Sequence, residues 1–180
     1  MSERSKDSLL VAGKAIAAVL QALCGLAAIL ALLAVPFFLL VGQDMLGGIL
    51  KASDLPVLQA APLAYPGIGL FMAASFGALF LFFGRMRAII ASVAEGDPFI
   101  PENARRLNAM AWLLLTHEIA AVIVGQLRLY GANAVDPAAG DSLNYSPYDL
   151  NGLLMVLVLF ILARVFRHGA GMREDLEGTV

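Results

Sequence analysis

His117 and Glu118 stand side by side in the middle of a long apolar run, Ala109–Gln126. A histidine and a carboxylate in an apolar setting can pass protons, hold an ion or bind a polar ligand. A charge at the centre of a lipid-inserted helix costs roughly 2.5–3.5 kcal/mol on insertion scales. Both residues therefore need a partner or a role. Neighbouring helical positions point in different directions, so the two cannot both face one partner squarely, and at least one faces the interior. Ser75, near mid-depth of a second apolar run, Gly67–Phe83, is the candidate partner, with Gln21, Cys24 and Asn151 as alternatives. Two readings of His117, Glu118 and Ser75 stand: hydrogen-bond glue between helices, and an intramembrane polar site for a proton, ion or ligand.

No catalytic constellation accompanies them. The chain has no His-Glu-x-x-His, Gly-x-Ser-x-Gly, Walker loop or Cys-x-x-Cys. His117 and His168, the two histidines, fall at mid-membrane and at a membrane edge, so they do not share a metal. Asp136, Asp141 and Asp149 lack the spacing of a calcium loop. Cys24 is the only cysteine, so no internal disulfide forms. The expectation is a protein that is not an enzyme, with no catalytic residue, metal or cofactor. Net charge is −2, with no global basic field, and no direct nucleic-acid binding is expected.

The elements that must position these residues are membrane spans. The composition is 60% hydrophobic and 14% charged; an ordinary soluble domain is about 25% charged. In water such a chain would expose large apolar patches, so the lipid bilayer is the first partner. Four segments are long and apolar enough to cross it, at about 15–41, 67–90, 104–126 and 150–168. They are expected to be helices, because a helix pairs its own backbone groups in lipid. The first is far longer than the roughly 7–15 residues of a signal-peptide core and reads as a retained span. Residues 1–180 are thus expected to form a single all-α domain, an integral membrane four-helix bundle.

Lysine and arginine set the expected orientation. Ten of the twelve precede span one, lie between spans two and three, or end and follow span four; Lys51 and Arg128 are the other two. Basic loops stay cytoplasmic, which places both termini on the cytoplasmic side of the membrane. The outer segments are 42–66 and 127–149. Tyr65, Tyr130, Tyr145 and Tyr148 flank them as an aromatic belt does. Small residues at four-residue spacing (Ala18 with Ala22, Ala27 with Ala31, Ala73 with Gly77, Ala74 with Ala78) suit close helix packing, within the bundle or in a homo-oligomer.

The inner loop, Ala91–Asn108, has a turn at Gly96-Asp97-Pro98. Pro101 and Glu102 suit the first turn of a helix starting at about residue 101. Arg105 and Arg106 would then snorkel to lipid phosphates, and Phe99 would dip into the interface or the bundle. The C-terminal stretch carries Arg164, Arg167, His168 and Arg173, then the acidic Glu174, Asp175 and Glu177. Pro98, Phe99, Asn103, Arg105, Arg106, Arg167, Arg173, Glu174 and Asp175 together form a candidate cytoplasmic interaction surface.

Loop and tail resemble a bacterial membrane family catalogued as domain of unknown function 2975. The resemblance rests on Gly-x-Pro-Phe followed by Asn and Arg-Leu, here Gly96, Pro98, Phe99, Asn103, Arg106 and Leu107. It rests also on Asp149-Leu150 opening the last span. The tail adds Phe166, Arg167, Gly169, Arg173, Glu174, Asp175, Glu177, Thr179 and Val180, with Gly178 departing from the bulkier residue expected there. The resemblance brings no activity with it. It implies a neighbourhood: members are often encoded beside a small helix-turn-helix regulator, so a membrane partner that tethers or signals to such a cytoplasmic protein is the expected role. The alternative, from another class, is a small transporter or channel subunit using Glu118 and His117.

Overall fold

The computed structural model describes residues 3–42, 56–136 and 150–177, with side chains for 8–41, 57–136 and 150–173. Lys51, Asp141, Tyr145, Tyr148, Asp149, Gly178, Thr179 and Val180 lie outside the described residues, and the side chains of Glu174, Asp175 and Glu177 do so too. The described chain is helical: α1 (Glu3–Gly42), α2 (Pro56–Ala60), α3 (Ala64–Ala94), α4 (Pro101–Val135) and α5 (Leu150–Glu177). The fold class is all-α, as the composition requires.

The four long helices each contain a stretch fit to cross a membrane: Ser8–Val41, Ala64–Ala94, Pro101–Val135 and Leu150–Arg173. All four outrun the expected spans, the first three to more than thirty residues. At about 1.5 Å per residue, thirty residues cover about 45 Å, more than the roughly 30 Å hydrocarbon core. Their ends therefore continue beyond the lipid, which is why the loop between α3 and α4 shrinks to residues 95–100. The connection between α1 and α3, expected as loop, also holds a short helix, α2. Large apolar side chains stand exposed along the spans, among them Leu33 (60%) and Leu157 (54%). Only 6% of the most apolar window of α1 is buried. Such faces are stable only against lipid.

By contacts the chain divides into two compact units, 1–24 with 78–115 and 150–180, and 25–77 with 116–149. In the first, Leu107, Met110 and Ala111 of α4 pack on Leu159 and Ala163 of α5. Spacings of three and four put these residues on one stripe of each helix. Ala111 and Ala163, 0% and 2% exposed, let the two backbones approach. Phe82, Met86 and Ile89 of α3 close the cluster, and Trp112 meets Phe160 edge-on at 5.4 Å.

In the second unit the close approach is at Gly69. A Cβ there would lie 3.1 Å from the Ala31 carbonyl oxygen and 3.1 Å from Val35 Cγ2. Gly77, one of the small residues singled out by spacing, has nothing within 4 Å of its Cβ position. Of the small residues singled out by spacing, Ala31 is at the contact of α1 with α3, opposite Gly69. Buried Leu58, Ala61 and Ala64 seat α2 and the start of α3, with Gly131 of α4 leaving room for Val57. Tyr65, expected in the aromatic belt, stacks on Phe38 at 4.9 Å.

Candidate functional site

Two polar constellations emerge, one in each unit. In the second unit Ser75 Oγ and His117 Nδ1 are 2.7 Å apart. The hydroxyl donates when Nδ1 is bare and accepts when it carries the proton. Ser75 is 8% exposed; His117 and Glu118 are half-buried. So α3 and α4 bring together the serine and histidine that lie 42 residues apart in the chain. Gln21, weighed as another partner for this site, is engaged elsewhere: its Oε1 accepts from Arg87 Nη1 at 2.7 Å. Gly84 makes that possible, since a Cβ there would sit 2.9 Å from Gln21 Nε2. Arg87 Nε is buried without a hydrogen-bond partner.

The first unit holds the denser constellation, built from the turn between α3 and α4. Gly96 has φ +85°, the left-handed conformation that ends a helix at little cost for glycine. The Gly96 N–H donates to Val93 O and the Asp97 N–H to Ser92 O, each at 3.1 Å. These two bonds satisfy the last carbonyls of α3 in the Schellman pattern. The chain then reverses through Pro98 into Pro101, where a missing N–H costs nothing.

Asn103 locks the reversal from beneath. Its Nδ2 donates to Ser92 Oγ at 2.7 Å and to Pro98 O at 2.9 Å. Its Oδ1 accepts from Arg106 Nη1 at 2.8 Å. Arg106 also donates to Ala88 O at 3.2 Å, and Ser92 Oγ donates to Ile89 O at 2.8 Å. Asn103 is 0% exposed. It belongs under the interaction surface proposed from sequence, not on it. Arg106, expected to reach for lipid phosphates, is half-buried and turned inward to this network. Leu107, next along, is in the apolar core.

Loop and tail, read separately from sequence, meet. The Phe99 ring packs on Phe166 of α5 with centroids 5.1 Å apart. Gly169 makes the seat, for a Cβ there would fall 2.9 Å from Phe99 Cδ1. Arg173 pairs with Asp97. Phe99 nonetheless remains 43% exposed, and Arg105, Arg167 and Arg173 also face outward. Arg105 reaches Glu102 at 3.6 Å on its own helix. The outcome is a fixed surface whose turn, apolar contact and ion pair are all specified. Sequence spacing gave no signal for Ser92, Ala88 or Arg87 as parts of these networks, since Ser92 reads as loop, Ala88 as the end of a span and Arg87 as a basic flank. Among the described residues no group of three or more His, Cys, Asp or Glu could hold a metal ion.

Four long apolar helices joined by a hydrogen-bonded turn define the class: a multi-pass α-helical membrane protein. The chain belongs to the family described as protein of unknown function (DUF2975), whose sequence profile matches residues 51–180. The match contains the loop and the tail and leaves α1 outside it. No curated protein and no solved structure matches the chain.

Proposed function

We propose that this protein is a non-enzymatic component of a bacterial cytoplasmic membrane, with both termini inside, that tethers or signals to a small helix-turn-helix regulator. The observation that supports this reading is the junction of loop and tail. Phe99 held on Phe166, with Asp97 held by Arg173, fixes a partly apolar, basic-rimmed surface before any partner arrives. A preordered surface loses less entropy on binding than a loose one, and an exposed aromatic beside arginines is the usual make-up of a binding hot spot.

The test is co-purification of the detergent-solubilised full chain with a tagged small helix-turn-helix regulator co-expressed from its own host. Capture by the wild type, reduced about tenfold by Phe99→Ala with Arg105→Ala, is the expected result; loss of about 1.4 kcal/mol at a hot spot gives that factor. Equal capture by both sinks the surface assignment, and no capture by either sinks tethering.

A second reading has its own observation, the 2.7 Å contact of Ser75 with His117 beside Glu118. Under it the protein is a small transporter or channel subunit, assembled from several copies. Glu118→Gln should then abolish proton-driven flux into liposomes and leave regulator capture unchanged.

A further inference from the structure

The surface of the first unit has a second basic feature, which shares Arg167 and Phe99 with the interaction surface. A groove of about 650 Å³ runs along α5, lined by Arg164, Arg167 and His168 with Phe160 and Asn108. Around the helix a shallower, more apolar hollow of about 560 Å³ shares Arg164 and His168 and adds Phe99 and Val165. Among the described side chains no carboxylate lines either one. Arg164, Arg167 and His168 are all exposed.

Depth decides what meets them. Arg164 lies fourteen residues after Leu150, where α5 begins, which is about 21 Å along the helix. His168 is about 27 Å along it. A hydrocarbon layer of roughly 30 Å entered at Leu150 therefore ends close to these residues. A guanidinium at that level reaches for headgroup phosphates, with its stem in the acyl region. The same side of α5 continues as apolar surface: Val165, Ile161 and Leu157 are 55%, 53% and 54% exposed. A soluble acidic peptide would satisfy the arginines and leave that ladder unused. An amphiphile with an anionic head and an acyl chain matches both.

We propose that the Arg164–Arg167–His168 groove is a binding site for one anionic phospholipid, its phosphate between the two guanidinium groups and an acyl chain along Val165, Ile161 and Leu157. Each arginine offers planar paired donors that suit phosphate oxygens, and the imidazole adds another donor. The site does not depend on the tethering reading; it needs only the membrane.

Native mass spectrometry of the full chain, released from mixed phosphatidylglycerol and phosphatidylcholine nanodiscs, tests this. The wild type should retain one phosphatidylglycerol in preference to phosphatidylcholine. Arg164→Gln with Arg167→Gln should lower that preference on the order of tenfold, from about 1 kcal/mol per basic residue at the surface. Arg164→Lys with Arg167→Lys should lose part of it, because the charge remains and the planar paired donors do not. Arg105→Gln, which removes a charge outside the groove, should keep all of it. An equal loss in Arg105→Gln means bulk surface charge and overturns the site. So does a lysine variant that keeps all of the preference, because charge alone would then account for it. Displacement of the lipid by millimolar glycerol phosphate would show a site for a soluble anion and would overturn the lipid as occupant.

Discussion

Asn103 shows how one side chain can specify a loop. Its amide makes two donations and one acceptance in a place with no access to solvent. Asn103→Leu keeps the approximate volume and removes all three bonds. It leaves the Pro98 carbonyl without its donor and Arg106 without one of its acceptors. The expected cost is about 2–3 kcal/mol, read as a lower midpoint of thermal unfolding in detergent. Arg173→Ala makes the contrast. Its pairing with Asp97 is exposed on both sides, and pairs of that kind contribute about 0–1 kcal/mol. The same melt should barely move. If Arg173→Ala destabilises as much as Asn103→Leu, the ranking of buried network over surface pair is wrong. The sequence pattern Gly-x-Pro-Phe, Asn, Arg-Leu marked the turn but not this division of labour. A residue string does not reveal that its asparagine points inward, because that depends on Ser92 and Ala88 arriving from another helix.

At the scale of elements, packing in each unit rests on where small residues let helices touch. The start of α4 at Pro101 with Glu102 in its first turn was legible because capping chemistry is local. The spans were legible because apolar length is local too. The helix-helix contacts were not, since several four-residue spacings of alanine and glycine competed and only three-dimensional contact chooses among them. At Gly69 a side chain would press on the Ala31 carbonyl oxygen and on Val35. Gly69→Val should force α3 off α1 in the second unit, because part of the obstacle is backbone. Gly77→Val, with open space around it, should be tolerated. Disulfide trapping between cysteines placed on α1 and α3 in a Cys24→Ala background measures this. Trapping should fall severalfold in the first variant and hold in the second. Equal trapping in both would mean that the approach at Gly69 does not govern the pairing.

For the whole molecule the decisive quantity is the side of the membrane on which loop and tail lie. Ten of the twelve basic residues fall on the segments that share a side with them if every span crosses once. Basic flanks resist translocation, so the expected orientation has both termini in the cytoplasm. Single cysteines at Ser5, Asp136 and Thr179, in a Cys24→Ala background, can be tested with a membrane-impermeant maleimide. In spheroplasts only the cysteine at 136 should label. In inverted vesicles those at 5 and 179 should label instead. The opposite pattern would put the surface around Phe99 and Arg105 outside, out of reach of any cytoplasmic regulator, and tethering would fail without any binding measurement. The lipid groove would survive that result, because phosphates border both leaflets. Split labelling of the two termini would mean an odd number of crossings, and α1, which shares Gln21 with Arg87 of α3, would be the helix whose insertion needs revision.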